Sequence, residues 1–475
     1  MNHVNVKAKT GMFIGDTGQN LLFTFIIVSS LFLLWGLCNG MIDVMDKLFQ
    51  EELGLSKSQS AWVQFAHYLG YFLAALPAGW VAIKLGYKGG IIAGLLIVGG
   101  GGFWFIPATH INALSHQGSV SPAMAFVAYL AGVCIIAIGL TFLETIANPY
   151  TTVLGDKRFA ATRINLAQSC NGMGWVFGPT VGSVFFYSKD VLGHNTGTQT
   201  LYIPYMVIAF VVIGLAIVFY FANVPDIKTE DDYHLDDTTS GVAQSIWSHP
   251  HFSMAVAAQF FYVAAQAGIF SFFINYMTAE TPPIPTSWGP AMTSVSAHAG
   301  ILSNWLQGWF EVNKAGVFAL SNKGASNLAS LGFVCFLTGR VTGAGLLRRF
   351  AAHKVLGLYA VLNVFATLLV FFKLGWLSVA CVFLSYFFMS IMFPTIFALG
   401  IFGLGARAKK AAAYIVMAIM GGAILPKLMG YVAEKSDMSR GFIVPMFCFA
   451  FVAFYGFNWS RFAKAESLNG VKVGH

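Results

Sequence analysis

Two pairs of an acid and a carboxamide lie inside long apolar stretches of this sequence. Asn39 and Asp43 are four residues apart in "LFLLWGLCNGMIDVMDKLFQ", and Glu144 and Asn148 have the same spacing in "GLTFLETIANPY". Residues at positions i and i+4 share one face of a helix, one turn apart. Before Glu144, no Asp, Glu, Lys or Arg occurs back to Lys88. Because a charge in such surroundings is costly, these acids are candidates for a function.

The chemistry that suits a carboxyl group in an apolar bundle is proton transfer. Burial favours the neutral acid, which can release its proton where water reaches it. The sequence therefore predicts Asp43 and Glu144 as proton-coupling residues. Two structural alternatives stay open. Asp43 could be an acid neutralised by a hydrogen bond near its helix end, and Glu144 could form an ion pair with a basic loop residue such as Arg163.

A second group of polar residues could bind a neutral polyol such as a sugar. Carboxamides donate and accept hydrogen bonds at once, which suits hydroxyl groups. In "RINLAQSCNGMG" the carboxamides are spaced by three residues, and in "QFFYVAAQAGIFSFFINY" carboxamides and aromatic rings together recur every three or four residues. The candidate substrate-binding residues are Asn39, Asn165, Gln168, Asn171, Tyr262, Gln266 and Phe270. Amides that only bridge helices are the alternative. An anionic substrate would call for Arg340, which lies near the end of its predicted helix.

The composition indicates a polytopic membrane protein. Of the 475 residues, 57% are hydrophobic and 10% are charged, whereas a soluble domain carries about 25% charged residues. The net charge of +8 comes from residues in short loops, a topology signal and not a nucleic-acid patch. The six cysteines have no CxxC spacing, which indicates neither a metal site nor a disulfide framework. No nucleotide-binding loop or catalytic constellation occurs, so we expect no cofactor, no enzyme activity and an ion gradient as the energy source.

The apolar runs predict an all-α membrane protein with twelve transmembrane helices in two six-helix bundles. The predicted spans are 21–48, 61–83, 89–108, 123–153, 163–187, 202–223, 251–278, 326–346, 353–373, 375–403, 410–433 and 440–461.

A polar, acidic segment divides the spans six and six. The predicted organisation is an N-terminal tail (1–20), a six-helix bundle (21–223), a linker (224–250), a second bundle (251–461) with an insertion at 279–325, and a C-terminal tail (462–475).

The two halves repeat each other weakly. "ANPYTTVLG" in the fourth span matches "MFPTIFALG" in the tenth, and "GWVFGP" in the fifth matches "GAILPK" in the eleventh. These matches align Gly174 with Gly421 and Pro179 with Pro426. Two repeated halves are typical of transporters that rock around a central site.

The distribution of Lys and Arg predicts the orientation in the membrane. With the N-terminus inside, eighteen of the 27 Lys and Arg residues fall on the cytoplasmic side, which favours cytoplasmic termini. The insertion 279–325 then faces outward. Within it "GILSNWLQGWFEV" predicts an interfacial amphipathic helix with Trp305, Trp309 and Phe310 at the headgroups. A lid over an external vestibule is the alternative.

Several of these motifs together resemble the fucose–proton symporter family of the major facilitator superfamily. They are "LFLLWGLCNGMIDVMDKLFQ", "AHYLGYFLAALPAGWVAIKLGYKGGIIAGL", "GLTFLETIANPYTTVLG", "RINLAQSCNGMG", "QFFYVAAQAGIFSFFINY" and "FFMSIMFPTIFALGI", and the similarity covers about residues 21 to 460 without 279–325. The resemblance implies the major facilitator fold. It also implies that Asp43 and Glu144 are the protonatable pair and that Gln168 contacts the sugar. Gly40 and Phe270 depart from the family pattern, where we expect Asn and Trp, and both bear on substrate identity more than on coupling.

The expected function is therefore secondary active transport at the cell membrane. The resemblance favours proton-coupled symport of a monosaccharide into the cytoplasm by alternating access, with L-fucose as the best match and a monomer as the expected form. One alternative is a sodium-coupled carrier of glucose, galactose or N-acetylglucosamine. Another, from a different class, is a membrane sugar sensor that does not transport.

Overall fold

The computed structural model is a helical bundle in which the predicted spans are recognisable one by one. It describes residues 11–15, 18–155, 160–187, 197–225, 245–290, 294, 305, 307–312, 316–347, 349–402, 404 and 408–463. The side chains of Asp43 and Asn165, both predicted site residues, lie outside the described part. Most residues of the predicted tails and of the linker also lie outside it.

Helices coincide with all twelve predicted spans. Those of the N-terminal half are Leu22–Glu52, Trp62–His116, Pro122–Val153, Ala160–Phe185 and Tyr202–Phe221. Those of the C-terminal half are Pro250–Ser271, Phe273–Glu280, Asn322–Leu347, Ala352–Phe371, Trp376–Met389, Met392–Ile401, Ala408–Met417, Gly421–Lys435, Met438–Gly441 and Ile443–Ala463. The short helices Lys57–Ser60 and Gly197–Thr200 precede the second and sixth spans. Short 3-10 turns occur at Ile246–Ser248 and Ala418–Met420.

Ten helical segments in the described part are long and apolar enough to cross a membrane, and they include every predicted span except the second and the fifth. The second and third spans form the continuous helix Trp62–His116, which leaves helical geometry at Gly86 (φ 68°, ψ −178°). Glycine accepts this backbone conformation without a steric penalty. Large apolar side chains such as Phe210, Phe221 and Phe447 are more than half exposed. The protein is therefore a multi-pass membrane protein whose outer surface suits lipid.

The first and fifth spans cross at a contact that only glycine permits. A Cβ atom on Gly178 would lie 2.6 Å from the carbonyl carbon of Gly40, and one on Gly174 would overlap the carbonyl oxygen of Leu33. Small residues let the backbones of membrane helices approach closely. Gly40 lies inside this crossing, and a Cβ atom on it would lie 3.0 Å from the carbonyl oxygen of Trp175. Glycine at this position, where the family pattern has Asn, therefore affects how closely the two helices pack.

The corresponding helices of the second half make the corresponding contact. A Cβ atom on Gly421, at the start of the eleventh span's second helix, would overlap the carbonyl oxygen of Phe260 in the seventh span. Gly421 is the residue that the sequence repeat aligns with Gly174. The repeat is thus visible as the same glycine-to-backbone packing, between spans one and five and between spans seven and eleven.

The C-terminal half differs in that four of its spans are interrupted, the twelfth near its start at Phe442. The seventh is divided at Phe272, the tenth at Ser390 and Ile391, and the eleventh by the 3-10 turn Ala418–Met420. Broken helices are tolerated at membrane depth where protein or a cavity surrounds them.

The prediction of an amphipathic helix in the insertion is wrong for the C-terminal end of that segment, which forms a turn and a strand. Gly308 has a positive φ of 73°, and the strand Phe310–Val312 follows and pairs antiparallel with Phe318–Leu320. Positive φ favours glycine and ends a helix readily. Trp309 is buried, and its indole N–H donates to the carbonyl oxygen of Trp305 (2.7 Å). Residues 295–304 and 306 lie outside the described part.

The glycine crossing leads to a stability prediction. We expect Gly174→Val to destabilise the purified protein by about 1–3 kcal/mol or more, because overpacking a close helix contact forces the backbones apart. The thermal midpoint in detergent measures this. Gly214→Val is the matched control, since an ideal Cβ there meets nothing within 4 Å. Equal midpoints for the two variants would contradict the close crossing.

Candidate functional site

A small cavity of about 80 Å³ lies between the two halves of the protein. The lining residues are Trp35, Asn39, Ile42, Gln64, His67, Tyr68, Tyr71, Glu144, Gln168, Asn171, Trp175, Val263, Gln266, Phe393 and Ile419. Most come from spans one, two, four and five, whereas spans seven, ten and eleven contribute one or two residues each. The cavity therefore has a polar wall from the first half and a mainly apolar wall from the second.

Glu144 lies in this wall and is 4% exposed. The hydroxyl group of Tyr71 interacts with the carboxyl group of Glu144 and with the amide of Asn39. The same hydroxyl accepts a hydrogen bond from the indole N–H of Trp35 (2.7 Å). Tyr71 thus connects the first, second and fourth spans around the acid.

The carboxyl group of Glu144 is only partly satisfied. Its Oε2 atom accepts no hydrogen bond from any described residue. Arg163, the alternative partner offered by the sequence, donates instead to the carbonyl oxygens of Met12 (2.8 Å), Thr151 (3.0 Å) and Gly155 (3.2 Å). Arg163 therefore fastens the end of the fourth span to the chain before the first.

Gln168 and Asn171 line the cavity and also bridge helices. The Gln168 amide donates to Oδ1 of Asn148 (3.0 Å), and the Asn171 amide donates to the carbonyl oxygen of Phe32 (3.3 Å). Arg340, from the eighth span, donates to both the carbonyl oxygen (3.2 Å) and the Oε1 atom (3.4 Å) of Gln168. The helix-bridging alternative thus holds for these two amides, alongside their place at the cavity.

Tyr262 and Arg340 both form hydrogen bonds to the backbone where the tenth span is interrupted. The hydroxyl of Tyr262 donates to the carbonyl oxygen of Met389 (3.0 Å), and Nε of Arg340 donates to that of Ser390 (3.3 Å). A helix break leaves backbone carbonyls unpaired, and in a membrane these need partners from elsewhere. The two side chains satisfy carbonyls at the break, and neither lines the cavity.

Phe270 lies behind the cavity wall. Its ring contacts Trp175 (centroids 5.5 Å apart), Phe333 (4.8 Å) and Tyr386 (4.6 Å), and of these Trp175 lines the cavity. Phe270 can therefore influence a ligand through Trp175. The structure thus brings Asn39, Glu144, Gln168, Asn171 and Gln266 together at the cavity, while Tyr262 and Phe270 are off it.

The second span contributes a cavity face that the sequence reasoning missed. Gln64, His67, Tyr68 and Tyr71 all line the cavity. Their spacing of three, four and seven residues places them on one helix face, the same signal that identified the fifth and seventh spans. A histidine and a glutamine in an otherwise apolar span could have drawn attention to it.

The lining chemistry is that of a site for a neutral, hydroxylated molecule. Amides, tyrosine hydroxyls and one carboxyl group supply hydrogen bonds, and Trp35 and Trp175 supply flat apolar surfaces. Within the described residues, neither Lys nor Arg lines the cavity. The described part of the chain also contains no group of three or more His, Cys, Asp or Glu side chains that could hold a metal ion.

Direct hydrogen bonds join the two halves at the end where spans one, seven and eleven finish. The Asn275 amide donates to Oε1 of Gln50 (2.6 Å), and the backbone N–H of Ser58 donates to Oε1 of Glu434 (2.6 Å). This end of the bundle is closed by polar contacts, and a neutral one such as that of Asn275 with Gln50 contributes about 0.5–1.5 kcal/mol net.

Comparison with known proteins agrees with this architecture. The family model of the Major Facilitator Superfamily matches residues 20–321. The L-fucose-proton symporter of Escherichia coli (strain K12) is 33% identical and covers 96% of each chain. A glucose/galactose transporter of Brucella abortus biovar 1 is 28% identical, over 93% of this chain and 95% of its own.

A solved structure shares the fold. FucP, described as a Major Facilitator Superfamily transporter in the outward conformation, superposes with a TM-score of 0.65 at 31% identity, over 93% of this chain and 99% of its own. The chain belongs to the Major Facilitator Superfamily and, within it, to the fucose–proton symporter family. The relatives are transporters and not enzymes.

The contacts of Arg340 generate a prediction. We expect Arg340→Lys to lower the thermal midpoint of the protein. A single ammonium group cannot reach the carbonyl of Ser390 and Gln168 at the same time, and each buried acceptor left without a partner costs about 1–3 kcal/mol. Arg349→Lys is the matched control, because Arg349 is exposed in the turn after the eighth span. An unchanged midpoint for Arg340→Lys would show that these contacts do not hold the break.

Proposed function

We propose that this protein carries a monosaccharide into the cytoplasm together with a proton, by alternating access around the cavity between its halves. The observation that carries the proposal is Glu144, a buried carboxyl group in the wall of an amide- and aromatic-lined cavity. The printed names of two relatives, an L-fucose-proton symporter and a glucose/galactose transporter, support a sugar as the substrate.

Glu144 is the proposed proton carrier. Its neutral form is favoured in the closed bundle, and its charged form is favoured when the cavity opens to water. Asp43, which follows Asn39 by one helical turn in the first span, is the proposed relay to the external side. One proton moving down a potential of 100 mV releases about 2.3 kcal/mol, enough for roughly fifty-fold accumulation of a neutral solute.

The sugar is proposed to lie between the amides and the indoles. Asn39, Gln168, Asn171 and Gln266 would hydrogen-bond its hydroxyls, and Asn165 is a further candidate on the face of the fifth span. Trp35 and Trp175 would pack on its C–H faces. The two termini are proposed to be cytoplasmic, and the end joined by Gln50 and Asn275 is then the external gate, closed in this structure. L-Fucose is the first candidate and D-galactose or D-glucose the next.

Sugar-induced proton movement is the first test. We expect L-fucose, added to de-energised cells or vesicles at low sodium, to make the external medium more alkaline, because each sugar enters with a proton. D-Galactose, D-glucose and N-acetylglucosamine are tested in parallel. Uptake of labelled sugar that requires sodium, with no change of external pH, would show sodium coupling. Sugar binding by purified protein without uptake would indicate a sensor.

The role of Glu144 gives a separate prediction. Glu144→Gln mimics the protonated acid, so we expect equilibrium exchange of sugar to persist while proton-driven accumulation falls until internal and external concentrations are equal. Labelled-sugar counterflow and uptake under a proton gradient measure the two activities. Glu311→Gln is the control, since Glu311 is exposed on the hairpin strand Phe310–Val312. A correctly folded Glu144→Gln variant that still accumulates sugar would exclude Glu144 as the carrier.

A further inference from the structure

Three buried polar atoms in the cavity wall are left without a hydrogen-bond partner among the described residues. They are Oδ1 of Asn39, Nδ1 of His67 and Oε2 of Glu144, on the first, second and fourth spans. The three side chains are 7%, 4% and 4% exposed, and all three line the same cavity. Native proteins satisfy nearly all buried polar groups, so a cluster of exceptions at one cavity requires an explanation.

The chemistry of these atoms indicates what would satisfy them. An amide oxygen only accepts hydrogen bonds. A carboxyl group accepts when it is ionised and can also donate when it is protonated, and an imidazole nitrogen donates or accepts according to its tautomer. The missing partner must therefore offer both donors and acceptors at several points at once. A set of neighbouring hydroxyl groups meets this requirement, because each hydroxyl also offers an acceptor to a donating imidazole.

His67 is held in position by aromatic neighbours. Its ring centroid is 5.0 Å from that of Tyr68 and 5.0 Å from that of Tyr71. Tyr71 is in turn fixed by the indole N–H of Trp35 and interacts with Glu144. A ring packed in this way presents its nitrogen in one orientation, which is what discrimination between sugar hydroxyls demands.

We propose that His67 is a specificity-determining, substrate-contacting residue whose ring nitrogen hydrogen-bonds one hydroxyl of the sugar, beside the hydroxyls held by Asn39 and Glu144. The proposal rests on the proposed function and deepens it. It shifts part of substrate recognition to the second span, away from the fifth, where Gln168 already bonds to Asn148 and Arg340.

A second buried histidine shows why the place of His67 matters. His353 is 3% exposed and its Nδ1 atom also has no described partner, but its ring stacks on Trp459 (centroids 5.3 Å apart) and is not among the residues that line the cavity. His353→Phe is therefore a control that removes a buried imidazole away from the site.

The test combines His67 variants with sugar analogues. Affinity is measured by calorimetry, and initial exchange rates by counterflow, for wild type, His67→Phe, His67→Asn and His353→Phe. The ligands are the sugar that the transport assay identifies, L-fucose or D-galactose, and a series of its analogues that each lack one ring hydroxyl.

We expect His67→Phe to weaken binding of the parent sugar about tenfold, the value of one net hydrogen bond to a buried group, with little change in maximal exchange rate. For one analogue, the one without the contacted hydroxyl, wild type and His67→Phe should bind equally. His67→Asn, which keeps a polar atom near the Nδ1 position, should recover part of the affinity, and His353→Phe should behave as wild type.

Two results would overturn the proposal. One is unchanged affinity in a folded His67→Phe variant. The other is an equal loss for the parent sugar and every analogue, which would mean that His67 only shapes the wall. Both leave the proposed function intact if wild type still transports sugar. Failure of wild type to bind or carry any of these sugars would instead refute the proposed function and this inference with it.

Discussion

The structure depends on one constraint: a polar atom inside an apolar bundle must be neutral, hydrogen-bonded or exposed to a ligand. Most buried polar groups meet it within the protein. Tyr262 and Arg340 satisfy carbonyls where the tenth span breaks, and Arg163 satisfies carbonyls at the end of the fourth. The atoms of Asn39 and Glu144 that remain unsatisfied lie at the cavity. Other unsatisfied atoms, such as Nδ1 of His353, lie away from the cavity. A side chain is therefore marked as a ligand contact by two features together, a missing partner and a place in the cavity wall.

The two halves share one pattern of helix packing but contribute differently to the cavity. Gly174 and Gly421 occupy matching positions, and each allows a helix to lie against the backbone of another. The first half then keeps continuous helices and supplies nearly all the polar groups of the cavity. The second half has the interrupted spans and presents mainly apolar side chains such as Val263 and Phe393. Continuous helices hold the polar binding groups of the first half in fixed positions. The interrupted helices of the second half suit a wall that moves relative to them.

The contacts between the halves are of a kind that can be exchanged. They include the pair of hydrogen bonds between Asn275 and Gln50, and two from Nη1 of Arg340 to the carbonyl oxygen and Oε1 of Gln168. Each neutral bond contributes about 0.5–1.5 kcal/mol net, so a ligand that interacts differently with two arrangements could shift their populations. Gln168 belongs both to this inter-half contact and to the cavity wall, which makes it the point where ligand binding and closure meet.

The sequence by itself determined the class of protein, the twelve spans and the acid and amides at the cavity. These follow from local properties, namely the length of apolar runs and the spacing of polar residues along a single helix. The tertiary structure decided which polar residues face the cavity, because this depends on how helices distant in the chain rotate against one another. In the structure Tyr262 binds a helix break and Phe270 lies behind Trp175, so neither lines the cavity, whereas His67, which was not among the predicted residues, does. The tertiary structure also replaced part of a predicted helix with a hairpin, because a positive φ at Gly308 cannot be read from apolar spacing.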